Sequence, residues 1–295
     1  MNIVDRSLYL SGGRTGILLI HGLGGTPIEM RFIAVGLARA GYTVSCPQLA
    51  GHCGTADDLR ATRWQDWYAS VCAAHDRLRQ ECDVVIVGGL SMGAVMALRL
   101  AADRPDSVHA AALFAPTFRL DGWSVPWYAR LFRLVWHRWV ADRFDFVERE
   151  PYGIKDPRVR GLVTAALQSG DSSQAGVLST PGSSVLELRR LANSVRRSLR
   201  NIRQPVLVLH PREDDHASLG NAFDLQKKLG GRVEAVVLDD CYHIITLDRQ
   251  RHLVVERTTR FVREVCQQLQ EKAAAVKVGP AQVSPIRADQ PLPAA

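Results

Sequence analysis

The chain has 295 residues, a net charge of +7, 46% hydrophobic and 23% charged residues. These proportions are ordinary for a soluble globular protein and exclude a disordered, collagen-like or small disulfide-stapled one. A chain of this length fits two domains or one large α/β domain, and it hides roughly 75% of its unfolded surface.

The 32 arginines against 5 lysines form no long basic block, and no nucleic-acid motif is visible. No nucleic-acid partner is therefore expected. Cys46, Cys53, Cys72, Cys82, Cys241 and Cys266 lack metal-site spacing, so free and mostly buried thiols are expected, with no metal. The first residues carry Asp5 and Arg6 and no apolar stretch of signal type. The expectation is a cytoplasmic protein without a membrane span.

In chain order, Gly16 to His21 reads as a buried strand. Pro27 to Ala40 reads as a helix capped by Thr26, with Pro27 at its first position and Gly41 ending it. Tyr42 to Cys46 is a strand. Trp64 to Gln80 is a helix with Trp67, Val71 and Ala74 on its apolar stripe. Asp83 to Val87 is a central strand, Met92 to Ala102 a helix and Val108 to Phe114 a strand. The alternation then stops until Pro205 to His210, a strand. A helix around Ala217 to Leu229, a strand at Val233 to Leu238 and a closing helix from about Leu247 to Gln270 follow. Alternating strands and helices mark an α/β architecture with a mostly parallel sheet. The expected division is a core in two pieces, 1–116 and 201–272, around an inserted helical cap at 117–200. An Ala- and Pro-rich stretch, 273–295, reads as a disordered tail.

Gly89-Leu90-Ser91-Met92-Gly93 matches G-x-S-x-G. By itself the match is weak, and an ordinary serine cap in a glycine-rich turn would also produce it. Its place between the strongest strand and a helix is what a nucleophile elbow requires. A serine nucleophile needs a base, and the base needs a third group to orient it, in the chain order Ser, Asp/Glu, His. His243 follows the last strand, and Asp214 follows the strand ending at His210. Open α/β sheets place their sites beyond such strand ends. Glu213 and Asp215 remain alternatives to Asp214. His210 reads as a core histidine, and His216 and His252 as solvated ones. Asp239 and Asp240 lie too close to His243 in sequence. Oxyanion donors are expected from the Met92 N–H and, within His21-Gly22-Leu23-Gly24-Gly25, from the Leu23 N–H. His21 is expected to orient that loop. Pro27 breaks a dinucleotide fingerprint and no P-loop lysine is present, so no nucleotide cofactor is expected.

With these residues in place, the chain resembles the α/β-hydrolase family, and within it the bacterial carboxylesterases related to monoacylglycerol lipases. The resemblance rests on LLIHGLGGTP (18–27), YTVSCPQLAGHCGT (42–55), RWQDWY (63–68), VGGLSMGA (87–94), PVLVLHPRED (205–214) and YHIITLD (242–248). It implies Ser91, Asp214 and His243 as the triad, Leu23 and Met92 as the oxyanion hole, a structural role for Asp248, and the inserted segment as a cap. GHCG at 51–54 departs from the G-H-G of many relatives, with Cys53 expected near the pocket rim.

The expected function is hydrolysis of a small carboxylic ester, with an apolar acyl group, through an acyl-enzyme and without cofactor or metal. Rival uses of the same site are thioesterase, amidase or aminopeptidase, and acyltransferase; Asp121, Asp142 and Asp145 could serve a substrate amine. A rival of another class is a non-hydrolytic binding protein. Four of the six tryptophans, Trp123, Trp127, Trp136 and Trp139, fall in the insertion. Trp123 and Trp127 are candidates for an acyl-binding wall; packing of the cap onto the core is an equal reading. A lid touching a membrane surface ranks behind both.

Overall fold

The structure is a computed structural model and describes residues 5–278. Its strands and helices run β1 (Leu8–Leu10), β2 (Gly13–Ile20), α1 (Arg31–Arg39), β3 (Tyr42–Cys46), α2 (Ala56–Ala61), α3 (Trp64–Glu81), β4 (Val84–Leu90), α4 (Met92–Asp103) and β5 (Ala110–Phe114). The insertion follows with α5 (Arg138–Ala141), β6 (Asp145–Val147), α6 (Pro157–Gln168), α7 (Ser172–Ala175), β7 (Ser179–Pro181) and α8 (Gly182–Arg196). The chain closes with β8 (Val206–Pro211), α9 (Gly220–Lys228), β9 (Val233–Leu238) and α10 (Arg251–Val278).

Seven strands form one sheet in the order β1-β3-β2-β4-β5-β8-β9, with β1 antiparallel to β3 and the remaining pairs parallel. The strands are near-continuous apolar runs because both faces are covered. Successive side chains point to opposite faces. Ile17, Leu19, Ile86 and Leu207 pack against Ile33 and Leu37 of α1 and Val254, Phe261 and Val262 of α10. Leu18, Ile20, Val85, Val87 and Val208 pack instead against α3, α4 and α8.

Several boundaries differ from expectation. The helix at Pro27–Ala40 is two pieces: a 3-10 turn, Pro27–Met30, held by the Thr26 cap, and then α1. Gly41 terminates α1 at φ +95°, a conformation other residues adopt only with strain. On α3 the buried stripe is Trp67, Val71, His75 and Leu78, with Ala74 at its edge. Helix α10 continues to Val278, past the expected end of the core at 272; the rest of the expected tail, 279–295, lies outside the described residues.

The insertion is mainly helical. It contains the two-stranded ribbon β6–β7. Its last helix, α8, belongs with the core layer: Leu188, Leu191, Ala192 and Val195 join the cluster formed by α3 and α4. Glu187 of α8 is buried and accepts from Arg190 at 2.7 Å and Arg138 at 3.5 Å. Arg138 also donates to the carbonyls of Thr62 (3.0 Å) and Arg60. One guanidinium thus ties the insertion to the entrance of α3.

Candidate active site

Ser91 sits between β4 and α4 at φ +56° and ψ −113°. This is the strained conformation the G-x-S-x-G pattern anticipates. The two glycines are sterically required. A Cβ on Gly89 would lie 2.4 Å from the Gly93 carbonyl carbon, and one on Gly93 would lie 2.1 Å from the Ile20 carbonyl oxygen. Ser91 Oγ donates to Thr117 Oγ1 at 3.1 Å, and Thr117 in turn donates to the Ala115 carbonyl at 3.1 Å. Among the described residues no hydrogen bond joins Ser91 to His243.

His243 and Asp214 are buried and engaged. His243 Nδ1 lies 2.9 Å from both oxygens of Asp214. Asp214 Oδ1 also accepts from the N–H groups of His216 (2.8 Å) and Ala217 (2.7 Å). Burial by itself would raise the Asp214 carboxyl. The His243 charge and hydrogen bond, with His210 and the Ala217 N–H, outweigh it and hold Asp214 below the usual range. Burial works to depress His243; Asp214, Asp215 and Glu148 overcome it and hold the imidazole above its ordinary value. His243 Nδ1–H therefore faces a carboxylate, leaving Nε2 as the basic nitrogen.

Asp215, an alternative to Asp214 on sequence grounds, takes a different place. Its carboxylate accepts from the N–H groups of His243 (3.1 Å) and Gly153 (3.0 Å), fixing the backbone that carries His243. Glu213 points outward to Lys155 at 2.7 Å. Asp248 is buried and accepts four backbone N–H groups, from Tyr242, Lys155, Asp156 and Arg249, at 2.8 to 2.9 Å. His210 is a core histidine donating to the Ala217 carbonyl at 2.8 Å. His216, expected in solvent, is half-buried with its ring 4.8 Å from that of His243. His252 is exposed on α10.

The loop after β2 faces Ser91. Its Leu23 N–H, and the Met92 N–H at the first position of α4, bond to no protein group among the described residues. The first N–H groups of a helix have no partner within it. Two donors are thus left open beside the serine.

Two residues with no sequence signal complete this corner: Thr117, already described, and Glu29. Glu29 Oε2 accepts the Gly22 N–H at 3.2 Å, and the carboxylate folds under Gly25, where a Cβ would lie 1.9 Å from Oε1. A Cβ on Gly22 would sit 3.5 Å from Glu29 Oε2 and 3.8 Å from Ser91 Cβ, so Gly22 adjoins both the carboxylate and the serine. Burial pushes this carboxyl up to about 7, against the pull of the Gly22 and Thr26 backbone bonds and the His243 charge. An acidic residue in a first helical turn is commonplace, so nothing in the sequence singles Glu29 out.

The cap candidates divide. Trp123 stands at the site's edge: Nε1 donates to the Glu213 carbonyl at 3.0 Å, and the ring meets Tyr242 edge-on at 5.5 Å. Trp127 is 74% exposed, and among the described residues its one aromatic neighbour is the Tyr128 ring. It lines no wall. Asp121, Asp142 and Asp145 all lie against arginines, Arg119 for the first and Arg60 for the others. Cys53 is buried at φ +63°, and burial, with Glu29 adding to it, raises its thiol to about 12. Among the described residues no cluster of metal-ligating side chains is found, and no helix is long and apolar enough to cross a membrane.

This sheet order, the strained serine between strand and helix, and the inserted segment after β5 define an α/β-hydrolase. The chain belongs to the serine aminopeptidase S33 family, Hydrolase_4, which matches residues 13–250. It is 31% identical over 254 residues to the thermostable monoacylglycerol lipase of Bacillus sp. strain H-257, covering 86% of this chain and 92% of that one. It is 22% identical to a carboxylesterase of Bacillus subtilis strain 168, covering 89% and 98%. Among solved structures, one from a study of LipS and LipT, two metagenome-derived lipolytic enzymes, superposes with a TM-score of 0.73 at 28% identity, covering 88% and 97%. A soluble variant of monoglyceride lipase from Saccharomyces cerevisiae shares the fold at a TM-score of 0.73 and 14% identity, covering 88% and 91%.

Proposed function

We propose that this protein is a serine hydrolase that cleaves small carboxylic esters with an apolar acyl group. The observation carrying the reading is the buried Asp214–His243 pair beyond the strand ends, taken with the strained Ser91 at the end of β4 and two N–H donors that bond to no protein group among the described residues. In the proposed reaction His243 Nε2 takes the Ser91 proton as Oγ attacks the carbonyl carbon. Leu23 and Met92 N–H groups bind the oxyanion. The tetrahedral intermediate collapses and the leaving alcohol takes the proton from His243. Water, activated by the same nitrogen, then releases the acid. Asp214 holds the tautomer and stabilises the imidazolium. No cofactor enters this scheme. The similarity to a monoacylglycerol lipase and a carboxylesterase supports an ester as the substrate.

A second reading, cleavage of an aminoacyl amide, has one observation behind it. Glu148 lies 3.8 Å from His216 Nε2, whose ring neighbours that of His243, and it lacks an Arg or Lys partner among the described residues, so a substrate ammonium would be attracted there. The three cap aspartates are already committed to arginines. Turnover of a short ester compared with the matched aminoacyl amide separates the readings.

The experiment for the site is labelling with a fluorophosphonate, read by intact mass. Wild type gains one adduct and Ser91→Ala gains none. Ser91→Ala keeps its fold and loses several orders of magnitude in turnover, because the triad acts as a unit. An adduct on the mutant, or equal turnover, removes Ser91 from the mechanism. A wild type that takes no adduct yet binds ester tightly is a binding protein.

A further inference from the structure

The insertion turns an unusual surface outward. Residues 127–143 contain four arginines, one aspartate and three of the six tryptophans. In the 3-10 turn Trp127–Leu134, Tyr128, Leu131 and Leu134 share one side at three-residue spacing and are all exposed. Beyond it Trp136 and Trp139 are 66% and 63% exposed, against the sequence reading in which such rings pack the cap onto the core. Exposed apolar side chains in such a concentration mark an interaction site.

The charges around these rings say what the partner is. Arg143 lies over the Trp139 ring at 4.8 Å and Arg189 over the Trp136 ring at 5.1 Å. Arg133 is exposed. None of these three has a carboxylate within 4 Å among the described residues. The one aspartate, Asp142, is turned toward Arg60 at 3.7 Å. Arg189 is half-buried and donates to the carbonyls of Phe132 (2.9 Å) and Val135, whereas Arg133 and Arg143 stay exposed. Indole rings beside guanidinium groups with no carboxylate partner suit the boundary between lipid headgroups and acyl chains, where the ring's apolar body and polar N–H are both accommodated. Unpaired cations favour anionic headgroups over neutral ones.

We propose that the aromatic and basic face of residues 127–143 docks this protein onto an anionic lipid surface. Trp123 and Glu148 flank this face in sequence and reach the candidate site, so docking would set the site's entrance close to the lipid. The proposal does not depend on ester hydrolysis, and Ser91→Ala should dock like wild type.

The test is co-sedimentation of the full chain with vesicles of phosphatidylcholine alone, and with vesicles containing about one-third phosphatidylglycerol, whose charge attracts each basic residue by about fivefold in affinity. Wild type should partition onto the anionic vesicles and stay free of the neutral ones, and added salt should release it. The double variant Arg133→Glu, Arg143→Glu should bind at least about twenty-five-fold more weakly. Trp136→Ser with Trp139→Ser should bind at least about tenfold more weakly. Both should retain the wild-type melting temperature and turnover of a short soluble ester. If the tryptophan variant does not fold, the arginine variant carries the test alone, since its side chains pair with no carboxylate. Absence of binding to anionic vesicles overturns the proposal, as does equal binding to neutral ones. So does a dimer that hides this face and persists with vesicles present.

Discussion

His21 Nδ1 lies 2.9 Å from the carbonyl oxygen of Gly22, and that contact aims the amide of Leu23. In a trans peptide the N–H points away from its carbonyl. Pinning the Gly22 oxygen on one side leaves the Leu23 N–H on the other. The tautomer follows from the opposite edge of the ring, where Nε2 accepts the Leu49 N–H at 3.3 Å. Nδ1 therefore carries the proton. Burial, with His52 alongside, drives the imidazolium down to about 3, so the ring stays neutral across the working range. His21→Ala releases the peptide plane while leaving every proposed reacting group in place. The expected loss is about tenfold to a hundredfold in kcat, with KM little changed, as for a weakened oxyanion donor. Steady-state kinetics on a short ester measures it. A loss confined to KM would show that the contact serves binding instead.

The acid limb of the pH profile follows from the His243–Asp214 pair. His243 must be neutral to take a proton, and its neighbours hold it above the ordinary histidine value. Turnover should therefore rise with pH through a midpoint above about 6.5. Asp214→Asn removes the charge that holds the imidazolium up. Its midpoint should move to lower pH while kcat falls by about ten-thousandfold. Rate profiles of both proteins test this. An unmoved midpoint would mean that Asp214 does not set the basicity of His243.

Glu29 makes stability depend on pH in the direction opposite to most carboxylates. Its folded value is raised, to about 7, so the unfolded chain gives up this proton first. The folded state then loses stability as pH rises from the ordinary glutamate range through about 7. Glu29→Gln keeps an acceptor for the Gly22 N–H and cannot ionise. It should melt at a higher temperature than wild type at pH 8, and the two should converge near pH 4. Thermal unfolding at both pH values decides. A variant less stable than wild type at pH 8 would show that the ionised carboxylate is what holds the loop.

Much of this was legible because it is local. The strands Tyr42–Cys46 and Val233–Leu238 occupy the residues their apolar runs mark. Ser91 and its glycines form one pentapeptide, and His243 and Asp214 each follow a readable strand. What escaped depends on contacts that spacing does not reveal. Glu29 reaches the loop because the 3-10 turn folds it back beneath Gly25. Thr117 matters only because β4 and β5 end side by side, pairing Leu90 with Phe114. Helix α8 falls in the stretch where the alternation stops, and with no strand between it and the rest of the insertion, its place on the core could not be read. The ribbon β6–β7 has three residues per strand, too few for alternation to show.

The bond from Ser91 to Thr117 sets the terms on which the proposed reaction begins. The serine hydroxyl rests on the first residue of the insertion, 3.1 Å away, rather than on the base it must serve. Turning about its one side-chain bond, a motion of picoseconds to nanoseconds, frees the hydroxyl from Thr117. The resting protein therefore keeps its serine proton on a neutral neighbour, and the encounter between serine and histidine is left to be completed when a carbonyl group arrives between the two open amides.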